Sequence, residues 1–245
     1  MPSDFDLRGH TALVTGAGRR LGRAFAEAIA REGADVVVHY GRSQVGAEQA
    51  VQFAQQLGCQ AVTIQADLSD PAQAAGLIGR SLELVPEVDL LVNSAAIFEP
   101  VGAVEAPIES WQRHLDINLT APFLISQAFA KARNGGSGAI VNLLDWRARL
   151  PSADHFPYSI SKAALAALTR GLALALAPSV RVNGLSLGAI LPPADGGSGD
   201  PIRGVPAGRW GSVEEAVAGL LFLLGGPKSV TGEILQIDGG RHLTG

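Results

Sequence analysis

An acid, a phenol and a cation occur close together in the second half of the chain. Tyr158 follows Asp145 by thirteen positions, and Lys162 follows Tyr158 by four. Residues four apart lie on one face of an α-helix, so this phenol and this ammonium would face the same site. Hydride transfer to a C=O or C=N bond leaves negative charge on oxygen or nitrogen, and a proton must arrive nearby. The trio is therefore a candidate proton-transfer site, although Tyr-x-x-x-Lys pairs also occur in ordinary amphipathic helices.

The side-chain chemistry suggests a role for each residue of the trio. Free tyrosine has a pKa of about 10, and a neighbouring cation favours the ionised phenol. Tyr158 is thus the predicted proton donor, and Lys162 is expected to lower its pKa. The carboxyl group of Asp145 can donate a proton to a ring nitrogen or accept hydrogen bonds from an amino-pyrimidine, which favours a nitrogen heterocycle over a simple ketone. The structural alternative is that Asp145 closes the loop after a strand.

Length and composition restrict the class of protein. The 245 residues are enough for one α/β domain that buries a sheet on both faces, and we expect a single domain over residues 1–245. A hydrophobic fraction of 47% with 17% charged residues is typical of a compact globular protein and excludes a largely disordered one. The formal charge of -4 provides no general attraction for nucleic acid or an anionic membrane, so neither is expected as a partner.

The cysteine content and the apolar stretches indicate the cellular compartment of the protein. Cys59 is the only cysteine, and no stretch before Thr11 has the basic start and apolar run of a signal peptide. These features predict a protein of the reducing cytoplasm. Residues 163–177 form the most apolar stretch, but 15 residues interrupted by Arg170 are too few to span a bilayer. We therefore expect a buried helix there.

Short β-branched runs alternate with longer Ala- and Leu-rich segments along the whole chain. Helix starts are indicated by Asp70 before Pro71, and by Ser212 followed three residues later by Glu215. Strict alternation predicts right-handed crossovers and a doubly wound α/β fold with a mainly parallel seven-stranded sheet. Its ligand crevice lies beyond the carboxyl ends of the strands. The seven predicted strands are residues 12–15, 35–39, 61–65, 88–93, 139–144, 180–185 and 233–237.

One connection lacks periodicity. Residues 191–208 contain Pro192, Pro193, Gly196, Gly197 and Gly199, a composition that sustains neither helix nor strand. The segment is either a solvated connection or a mobile flap over the substrate.

The turn after the first predicted strand is rich in glycine and opens a helix near Arg23. It reads Thr15-Gly16-Ala17-Gly18-Arg19-Arg20-Leu21-Gly22. Glycine permits positive φ and close backbone approach, and a helix N-terminus offers unpaired N–H groups to phosphate. At the start of a βαβ unit, this turn predicts a dinucleotide pyrophosphate site. The contacts are assigned to Gly16, Arg19, Arg20 and Leu21.

The end of the second strand bears on the choice of cofactor. It reads His39-Tyr40-Gly41-Arg42-Ser43, with no acid to hold a ribose 2′-hydroxyl. Arg42 and Ser43 can instead bind a 2′-phosphate, so we predict NADP(H), with His39 and Tyr40 in the same binding segment. The alternative is that Arg42 solvates a loop and Ser43 caps the next helix. Asp67, after the third strand, can accept a hydrogen bond from the adenine amino group or serve as a helix-start carboxylate.

Over nearly its full length the chain resembles the short-chain dehydrogenase/reductase family. The resemblance implies a Rossmann fold that binds a nicotinamide dinucleotide. The matching residues are Thr15 and Gly16, Asp67, Asn93, Asn118, Tyr158-Ser159-Ile160-Ser161-Lys162, Arg181-Val182-Asn183-Gly184 and Asp238-Gly239-Gly240.

Two departures from the family pattern are similar to those of its pteridine reductase branch. Arg20 replaces the middle glycine of the usual T-G-x-x-x-G-x-G turn, and Asp145 replaces the usual catalytic serine. Two other positions differ from that branch or from the family: Ala96 stands where the branch tends to carry a pterin-binding serine, and Leu187 replaces a proline before Gly188. These differences concern the substrate more than the hydride chemistry.

The resemblance also implies roles for individual residues. Arg20 would contact both cofactor phosphate and pterin, and Phe98 would sandwich the pterin against the nicotinamide. Asn118 would hold a water that connects Lys162 to solvent, and Lys162 can bind the nicotinamide ribose. Core packing for Phe98 and helix-interior bonding for Asn118 are the alternatives. Further cofactor contacts are assigned to Leu68, Asn93, Ser94, Ala95, Gly188 and Ile190.

The leading hypothesis is an NADPH-dependent reductase of a pterin-like heterocycle such as a dihydropterin or dihydrofolate, with Arg20, Phe98, Asp145 and Tyr158 binding the substrate. No metal site is expected. A homotetramer is expected through the helices after strands four and five, as in the family. The second enzymatic hypothesis is a carbonyl reductase or alcohol dehydrogenase, for example one acting on 3-oxoacyl thioesters. A third is a non-catalytic NADP(H)-binding sensor.

Overall fold

A computed structural model describes residues 5–191 and 202–244 of the protein. Within them, the strands form one sheet in which every neighbouring pair is parallel. The strands are β1 (Thr11–Val14), β2 (Asp35–Tyr40), β3 (Ala61–Gln65), β4 (Leu90–Asn93), β5 (Gly138–Asp145), β6 (Val180–Leu187) and β7 (Ile234–Ile237). The sheet order is β3-β2-β1-β4-β5-β6-β7. The predicted α/β fold with a seven-stranded parallel sheet is confirmed.

Helices cover both faces of the sheet. They are α1 (Arg20–Arg31), α2 (Gln44–Gln56), α3 (Pro71–Leu82), α4 (Ile108–Leu115), α5 (Ala121–Arg133), α6 (Phe156–Leu176) and α7 (Val213–Gly225). A π-helical turn, Asp116–Thr120, joins α4 to α5. The sheet order reverses between β1 and β4, and in such sheets the ligand crevice opens at this point.

Two hydrophobic cores lie on opposite sides of the sheet. Successive strand side chains point to opposite faces, so Val36 and Val38 enter one core and Val37 enters the other. The first core is closed by α1, α2 and α7, and the second by α3, α5 and α6. Burial on both faces explains why the strands are continuous apolar runs rather than alternating ones.

Both helix-start signals in the sequence correspond to capped helices. The Asp70 carboxylate accepts a hydrogen bond from Ala72 N at 2.8 Å, and Pro71 is the first residue of α3. Ser212 and Glu215 form a reciprocal capping box at the start of α7. These interactions satisfy N–H groups that the first helical turn leaves unpaired.

The apolar stretch at residues 163–177 lies almost entirely in α6. Together with the preceding turn, Ala153–Leu176 is long and apolar enough to cross a membrane by length and composition alone, and 44% of the most apolar window is buried inside the protein. The buried residues of α6 include Tyr158, Lys162 and Leu165, and this helix packs on β6. Core helices of this kind have the same length and composition as membrane spans.

Most of the predicted loop at 191–208 lies outside the described residues. Of this loop the structure describes Leu191 and residues 202–208. The latter form turns, with Val205 N donating to Ile202 O and Gly208 N to Val205 O. Ala207 N donates to Gly239 O at 3.0 Å, which holds this part against the turn that follows β7.

Candidate active site

The glycine-rich turn lies at the reversal of sheet order. The Thr15 hydroxyl oxygen accepts hydrogen bonds from Ser94 N and Ala95 N, each at 3.0 Å, and so ties the ends of β1 and β4 together. Gly16 has a φ of +67°, and a Cβ there would lie 2.8 Å from the Ala95 Cα atom. This turn therefore needs glycine for both its conformation and its packing.

The N-terminus of α1 faces the crevice without a competing acid. Arg19 is the N-cap residue and makes no capping hydrogen bond with its side chain, and the first turn contains no acidic residue. Arg19 and Arg20 are exposed, whereas Leu21 packs against the first core. Backbone N–H groups, the helix dipole and two arginines together suit an anionic group such as a pyrophosphate.

Arg20 has an unusual backbone conformation. Its φ is +51°, in the left-handed region where a non-glycine residue costs roughly 1–2 kcal/mol. Glycine would adopt this conformation without that cost. The arginine side chain is therefore retained at a position where the backbone favours glycine.

His39 supports the turn from inside the protein. Its ring is 2% exposed, Nδ1 accepts a hydrogen bond from Gly16 N at 3.1 Å, and Nε2 lies 3.1 Å from Ala66 O. Burial is the largest cause that lowers the pKa of His39 to about 4, against the opposing effect of the Ala66 bond. The neutral ring with its proton on Nε2 satisfies both contacts. The His39 side chain therefore supports the glycine-rich turn from the interior of the protein.

Arg42 and Ser43 lie at the outer end of the crevice. Arg42 is exposed, and Ser43 is the N-cap residue of α2 but makes no capping hydrogen bond with its side chain. A Cβ at Gly46 would lie 1.9 Å from Gly18 O, so the start of α2 packs directly on the glycine-rich turn. Arg42, Ser43 and the turn thus share one surface, and Tyr40 packs against the first core beneath it.

The Asp67 carboxylate makes its hydrogen bonds within the loop before α3, whose N-cap is Asp70. The Asp67 Oδ1 atom accepts hydrogen bonds from Ser69 N at 2.9 Å and Ser69 Oγ at 2.7 Å. The bonds from Ser69 are the main cause that lowers the pKa of the Asp67 carboxyl, and the charge of Arg42 adds to the effect. Asp67 is exposed at the crevice edge, and Leu68 after it is buried.

The remaining predicted cofactor residues line the carboxyl ends of β4 and β6. Asn93 is buried, and its Nδ2 donates to Asn142 Oδ1 at 2.8 Å, so its amide braces two strands. Gly188 follows β6, and a Cβ there would lie 2.8 Å from Asp238 Cα. Ile190 is 8% exposed. The sheet thus brings these residues to the edge that carries the glycine-rich turn.

The predicted acid, phenol and cation converge. Tyr158 and Lys162 lie on one face of α6, with the Lys162 Nζ atom 5.8 Å from the centre of the Tyr158 ring. Tyr158 Oη donates a hydrogen bond to Asp145 Oδ2 at 3.3 Å. Lys162 Nζ donates to Leu143 O at 2.7 Å, which fixes α6 against the end of β5.

The pKa of Tyr158 moves in the opposite direction from that expected of a lysine neighbour. Burial first, and then the negative charge of Asp145, raise the pKa of Tyr158 well above its usual value, while Arg147 opposes them. Burial also lowers the pKa of Lys162 to about 8, against the opposing charge of Asp145. The expected acidification fails because burial of the phenol itself and the negative charge of Asp145 are the dominant effects on its pKa. Tyr158 is therefore a protonated phenol at neutral pH.

Asp145 is the last residue of β5 and is held as an acceptor. Its Oδ1 accepts a hydrogen bond from Arg147 N at 2.9 Å, and the Arg147 guanidinium lies 3.4 Å from the same oxygen. The side chains of Asp145 and Arg147 are each 18% exposed. Asp145 therefore closes the turn after β5, as its structural alternative stated, while its Oδ2 also contacts the phenol of Tyr158.

Phe98 faces the same cluster. Its ring meets the Tyr158 ring edge-on at 4.7 Å, and the Arg147 guanidinium carbon lies 5.2 Å from its centre. The His155 imidazole is stacked on one face of Phe98, with ring centres 3.9 Å apart and planes 10° apart. Phe98 remains 37% exposed, so it lies at the site surface rather than in the core.

The contacts of Asn118 are structural. It is fully buried in the π-helical turn, where Oδ1 accepts from Ile97 N at 2.9 Å and Nδ2 donates to Ile97 O at 3.0 Å. Nδ2 also donates to Ser161 Oγ at 3.0 Å. These bonds position the segment that carries Phe98 and connect it to α6, as the helix-interior alternative predicted.

Sequence reasoning did not assign His155 or Arg241. His155 is 9% exposed and neither of its ring nitrogens has a hydrogen-bond partner, although Nδ1 lies 3.1 Å from Asp154 Oδ2. Arg241 lies with its guanidinium carbon 4.0 Å from the centre of the Trp146 ring. A histidine three residues before Tyr158 and a basic residue after Gly240 were the available signals, but neither spacing indicates a contact across the fold. Among the described residues, no group of three or more His, Cys, Asp and Glu side chains could hold a metal ion.

Comparison with known proteins identifies the family. The family described as enoyl-(acyl carrier protein) reductase matches residues 16–242. A 3-oxoacyl-(acyl-carrier-protein) reductase from Synechocystis is 32% identical over 240 residues, covering 96% of this chain and 97% of the relative. The glucose 1-dehydrogenase 2 of Bacillus subtilis is 32% identical over 250 residues, covering 97% of this chain and 96% of the relative. The chain belongs to the short-chain dehydrogenase/reductase family.

Solved structures agree with the observed fold. The FolM alternative dihydrofolate reductase 1 from Brucella canis, complexed with NADP, is 31% identical with a TM-score of 0.90, covering 98% of this chain and 96% of that one. A gluconate 5-dehydrogenase from Burkholderia cenocepacia, in complex with NADP and tartrate, is 28% identical with a TM-score of 0.89, covering 98% of both chains. The protein is thus an NAD(P)-dependent oxidoreductase, which confirms the predicted class of cofactor. These relatives act on different substrates.

The backbone of Arg20 predicts opposite effects of two substitutions on stability. Arg20→Gly removes both the side chain and the left-handed strain, whereas Arg20→Ala removes the side chain and keeps the strain. We expect Arg20→Gly to unfold in urea with a higher free energy than Arg20→Ala, by about 1 kcal/mol. Both variants should bind the dinucleotide more weakly than the wild type in a fluorescence titration. Equal stabilities of the two variants would show that φ at this position is not strained.

The depressed pKa of Lys162 predicts a pH-dependent stability. The folded protein releases this proton near pH 8, whereas the unfolded chain holds it to about 10.5. Between these values the unfolded state binds more protons, so stability rises with pH. We expect the free energy of unfolding of the wild type, relative to Lys162→Met, to rise between pH 8 and 10, by up to about 3 kcal/mol.

The measurement is urea unfolding of both proteins at pH 8, 9 and 10. Lys228→Met removes an exposed lysine, and it should leave the difference from wild type flat over this range. A flat difference for Lys162→Met as well would contradict a desolvated ammonium at that position.

Proposed function

We propose that the protein is an NADPH-dependent reductase of a pterin-like heterocycle, such as a dihydropterin or dihydrofolate. The observation that carries the proposal is the hydrogen bond from Tyr158 Oη to Asp145 Oδ2, with Phe98 edge-on to the phenol at 4.7 Å. A proton donor, an acceptor for N–H groups and an aromatic surface thus meet at one point. The similarity to proteins described as alternative dihydrofolate reductases supports the choice of substrate.

Tyr158 supplies the proton. Its raised pKa keeps the phenol protonated at neutral pH, so a proton is available when negative charge develops on the substrate nitrogen or oxygen. Loss of that proton leaves a buried phenolate. The ammonium of Lys162, 5.8 Å from the ring centre, stabilises this anion through space. Lys162 thus acts after the proton has left rather than by acidifying the resting phenol.

Asp145 selects for a nitrogen heterocycle. Its Oδ1 is occupied by the backbone and guanidinium of Arg147, and its Oδ2 faces the phenol. A carboxylate oriented in this way accepts hydrogen bonds from the amino group and ring N–H of an amino-pyrimidine. A simple ketone offers no such donors, so it gains no hydrogen bond from this carboxylate.

Phe98 provides the stacking surface. Because His155 covers one face of its ring, a flat heterocycle would stack on the opposite face, with the Arg147 guanidinium carbon 5.2 Å from the ring centre. Face-to-face contact of this kind leaves the edge of the heterocycle for polar contacts with Asp145 and Tyr158.

The glycine-rich turn and the N-terminus of α1 would hold the dinucleotide, because no Cβ fits at Gly16 and no acid lies in the first turn. When bound, NADPH supplies the hydride. Arg42 and Ser43, at the outer end of this cradle, would bind its 2′-phosphate. The exposure of Arg42 and the absence of a side-chain capping bond at Ser43 support this assignment.

The proposal extends to the organisation of the molecule. The chain acts as one NADP-binding domain over residues 1–245, with a substrate loop around residues 191–208. It works in the reducing cytoplasm as a homotetramer that pairs α5 and α6 between subunits. Exposed apolar side chains on these helices, Phe123 at 39% and Leu174 at 86%, support such pairing.

A second candidate is reduction of a 3-oxoacyl thioester. Ala96 in place of a pterin-binding serine, and the similarity to a 3-oxoacyl-(acyl-carrier-protein) reductase, favour it. The contact between Tyr158 and Asp145 argues against a sensor without activity, because binding alone requires no phenol at this point.

A comparison of substrates tests the proposal. We expect NADPH oxidation with dihydrobiopterin and dihydrofolate, and little with acetoacetyl thioester, because only the pterins present N–H groups to Asp145. Tyr158→Phe should reduce kcat for the active substrate about 10²–10⁴-fold, the usual contribution of a general acid. Circular dichroism of the variant controls for folding. Thioester turnover with inert pterins would instead establish the second candidate.

The position of Arg42 predicts a selective loss of cofactor affinity. Arg42→Ala should raise the Kd of NADPH about tenfold or more, because it removes a charge-assisted contact with the 2′-phosphate, and leave that of NADH nearly unchanged. Fluorescence titration of both dinucleotides measures this difference. Arg170→Ala, which removes an exposed arginine of α6, is the matched control. Equal losses for both cofactors would refute a 2′-phosphate role.

A further inference from the structure

Arg147 lies among the residues of the candidate site but has no role of its own in the chemistry described above. Its guanidinium carbon lies 5.2 Å from the centre of the Phe98 ring and 4.6 Å from that of the Trp146 ring. Its Nη1 atom lies 3.4 Å from Asp145 Oδ1, and its Nε donates to Ser152 Oγ at 2.9 Å. The side chain is 18% exposed. Two aromatic rings and two polar side chains therefore hold one largely buried guanidinium.

Arg147 holds the carboxylate of Asp145 at one of its two oxygens. The Arg147 backbone N–H donates to Oδ1 at 2.9 Å, and the guanidinium lies 3.4 Å from the same oxygen. Both contacts fall on Oδ1, so Oδ2 is left to accept the hydrogen bond from the Tyr158 phenol at 3.3 Å. A carboxylate held by the backbone bond alone can rotate, because the terminal torsion of aspartate is soft. The guanidinium therefore fixes which oxygen faces the phenol.

A chain of polar contacts joins Arg147 to the helix that carries Tyr158. Ser152 Oγ, which accepts from Arg147 Nε, lies 3.3 Å from Ser159 Oγ, and Ser152 N donates to Ser159 Oγ at 3.2 Å. Ser159 is fully buried in α6, directly after Tyr158 in the sequence. This link is separate from the bond that Lys162 makes one turn further along α6. Arg147 thus connects the turn after β5 to the start of α6.

The planar, forked shape of arginine suits these contacts. The guanidinium donates in two directions, from Nε to Ser152 and from Nη1 to Asp145, while its carbon lies over two rings. A lysine ammonium is a compact charge without a planar fork, so it cannot maintain all four contacts at once. Position 147 therefore favours arginine over another cation, which a conservative substitution can test.

The charge of Arg147 also acts on the phenol. Burial and the negative charge of Asp145 raise the pKa of Tyr158, and the charge of Arg147 lowers it. A cation that lowers the pKa of a phenol does so by stabilising the phenolate. Arginine keeps its positive charge in proteins, whereas burial lowers the pKa of Lys162 to about 8. Arg147 therefore supplies a permanent positive charge near the phenolate that remains after proton donation.

We propose that Arg147 is a positioning residue of the proton-donor site, which directs Asp145 Oδ2 to the phenol and stabilises the phenolate that Tyr158 leaves. This inference rests on the proposed function only in its assignment of Tyr158 as the proton donor. In that step the phenol O–H bond breaks, its electron pair stays on the phenol oxygen, and an N–H or O–H bond forms on the substrate. Because the negative charge develops in the transition state, Arg147 affects kcat more than KM.

Steady-state kinetics with NADPH and dihydrobiopterin provide the first test. In Arg147→Met, kcat should fall about tenfold to a hundredfold, the usual cost of removing a hydrogen bond to a charged group, while KM changes less than about threefold. Arg147→Lys keeps the charge without the fork and should recover part of kcat. Arg149→Met removes an exposed arginine two residues further on and should leave both constants unchanged. If the wild type reduces acetoacetyl thioester and not the pterin, the same comparison uses the thioester.

A second test needs no substrate. The chain has two tyrosines, Tyr40 and Tyr158, so tyrosine labelled with ¹³C at Cζ gives two NMR signals that Tyr40→Phe assigns. The Tyr158 signal reports the hydrogen bond of its phenol with Asp145. We expect Arg147→Met to move this signal in the same direction as Asp145→Asn does, and Arg149→Met to leave it in place. An unmoved signal in Arg147→Met would show that the guanidinium does not orient the carboxylate.

The third test separates positioning from a loss of structure. Because coupled residues are not additive, Arg147→Met should lower kcat less in an Asp145→Asn background than in the wild type. Equal losses in both backgrounds, or a wild-type kcat in Arg147→Met, would overturn the inference. If Tyr158→Phe keeps full turnover, the proposed proton donor itself is wrong, which is a different result. Circular dichroism checks the folding of each variant, and Arg147→Lys remains informative if Arg147→Met folds poorly.

Discussion

The structure of the candidate site depends on one buried hydrogen bond, from Lys162 Nζ to Leu143 O. An ammonium that is 3% exposed needs an acceptor, and the carbonyl two residues before Asp145 provides it. The bond therefore fixes α6 at the carboxyl end of β5 and brings Tyr158 next to Asp145. Burial of the phenol, together with the charge of Asp145, raises the pKa of Tyr158, and burial of the ammonium lowers the pKa of Lys162. Burial at the junction of α6 and β5 thus affects both the position of Tyr158 and its protonation state.

Three charged side chains lie around the phenol of Tyr158. Lys162 lies behind the phenol, Asp145 lies before it, and Arg147 pairs with Asp145 while touching Phe98 and Trp146. Each charged group is close to an opposite charge or an aromatic face, which reduces the cost of burying it. The same arrangement connects the phenol of Tyr158 to the ring of Trp146 through Asp145 and Arg147.

At the cofactor end of the crevice the main constraint is different, because backbone segments lie too close together there to admit a side chain. At Gly16, a side chain has no room. At Arg20, the chain retains a side chain despite a positive φ, which is a local cost without a packing benefit in the cores. Strain that persists at a ligand-binding turn is consistent with a functional reason for the arginine.

The sequence by itself determined the number of strands, their parallel arrangement and the capped starts of α3 and α7, because apolar periodicity and helix caps are local signals. The motif residues also indicated the family. The sequence placed Tyr158 and Lys162 on one helix face through a spacing of four residues, and the family resemblance added Asp145 to the same site. Only the tertiary structure decided the burial that reverses the expected pKa of Tyr158, the backbone contacts of His39 and Asn118, and the meeting of Trp146 with Arg241. Desolvation and contacts between residues distant in sequence depend on how the layers pack, and no local pattern encodes them.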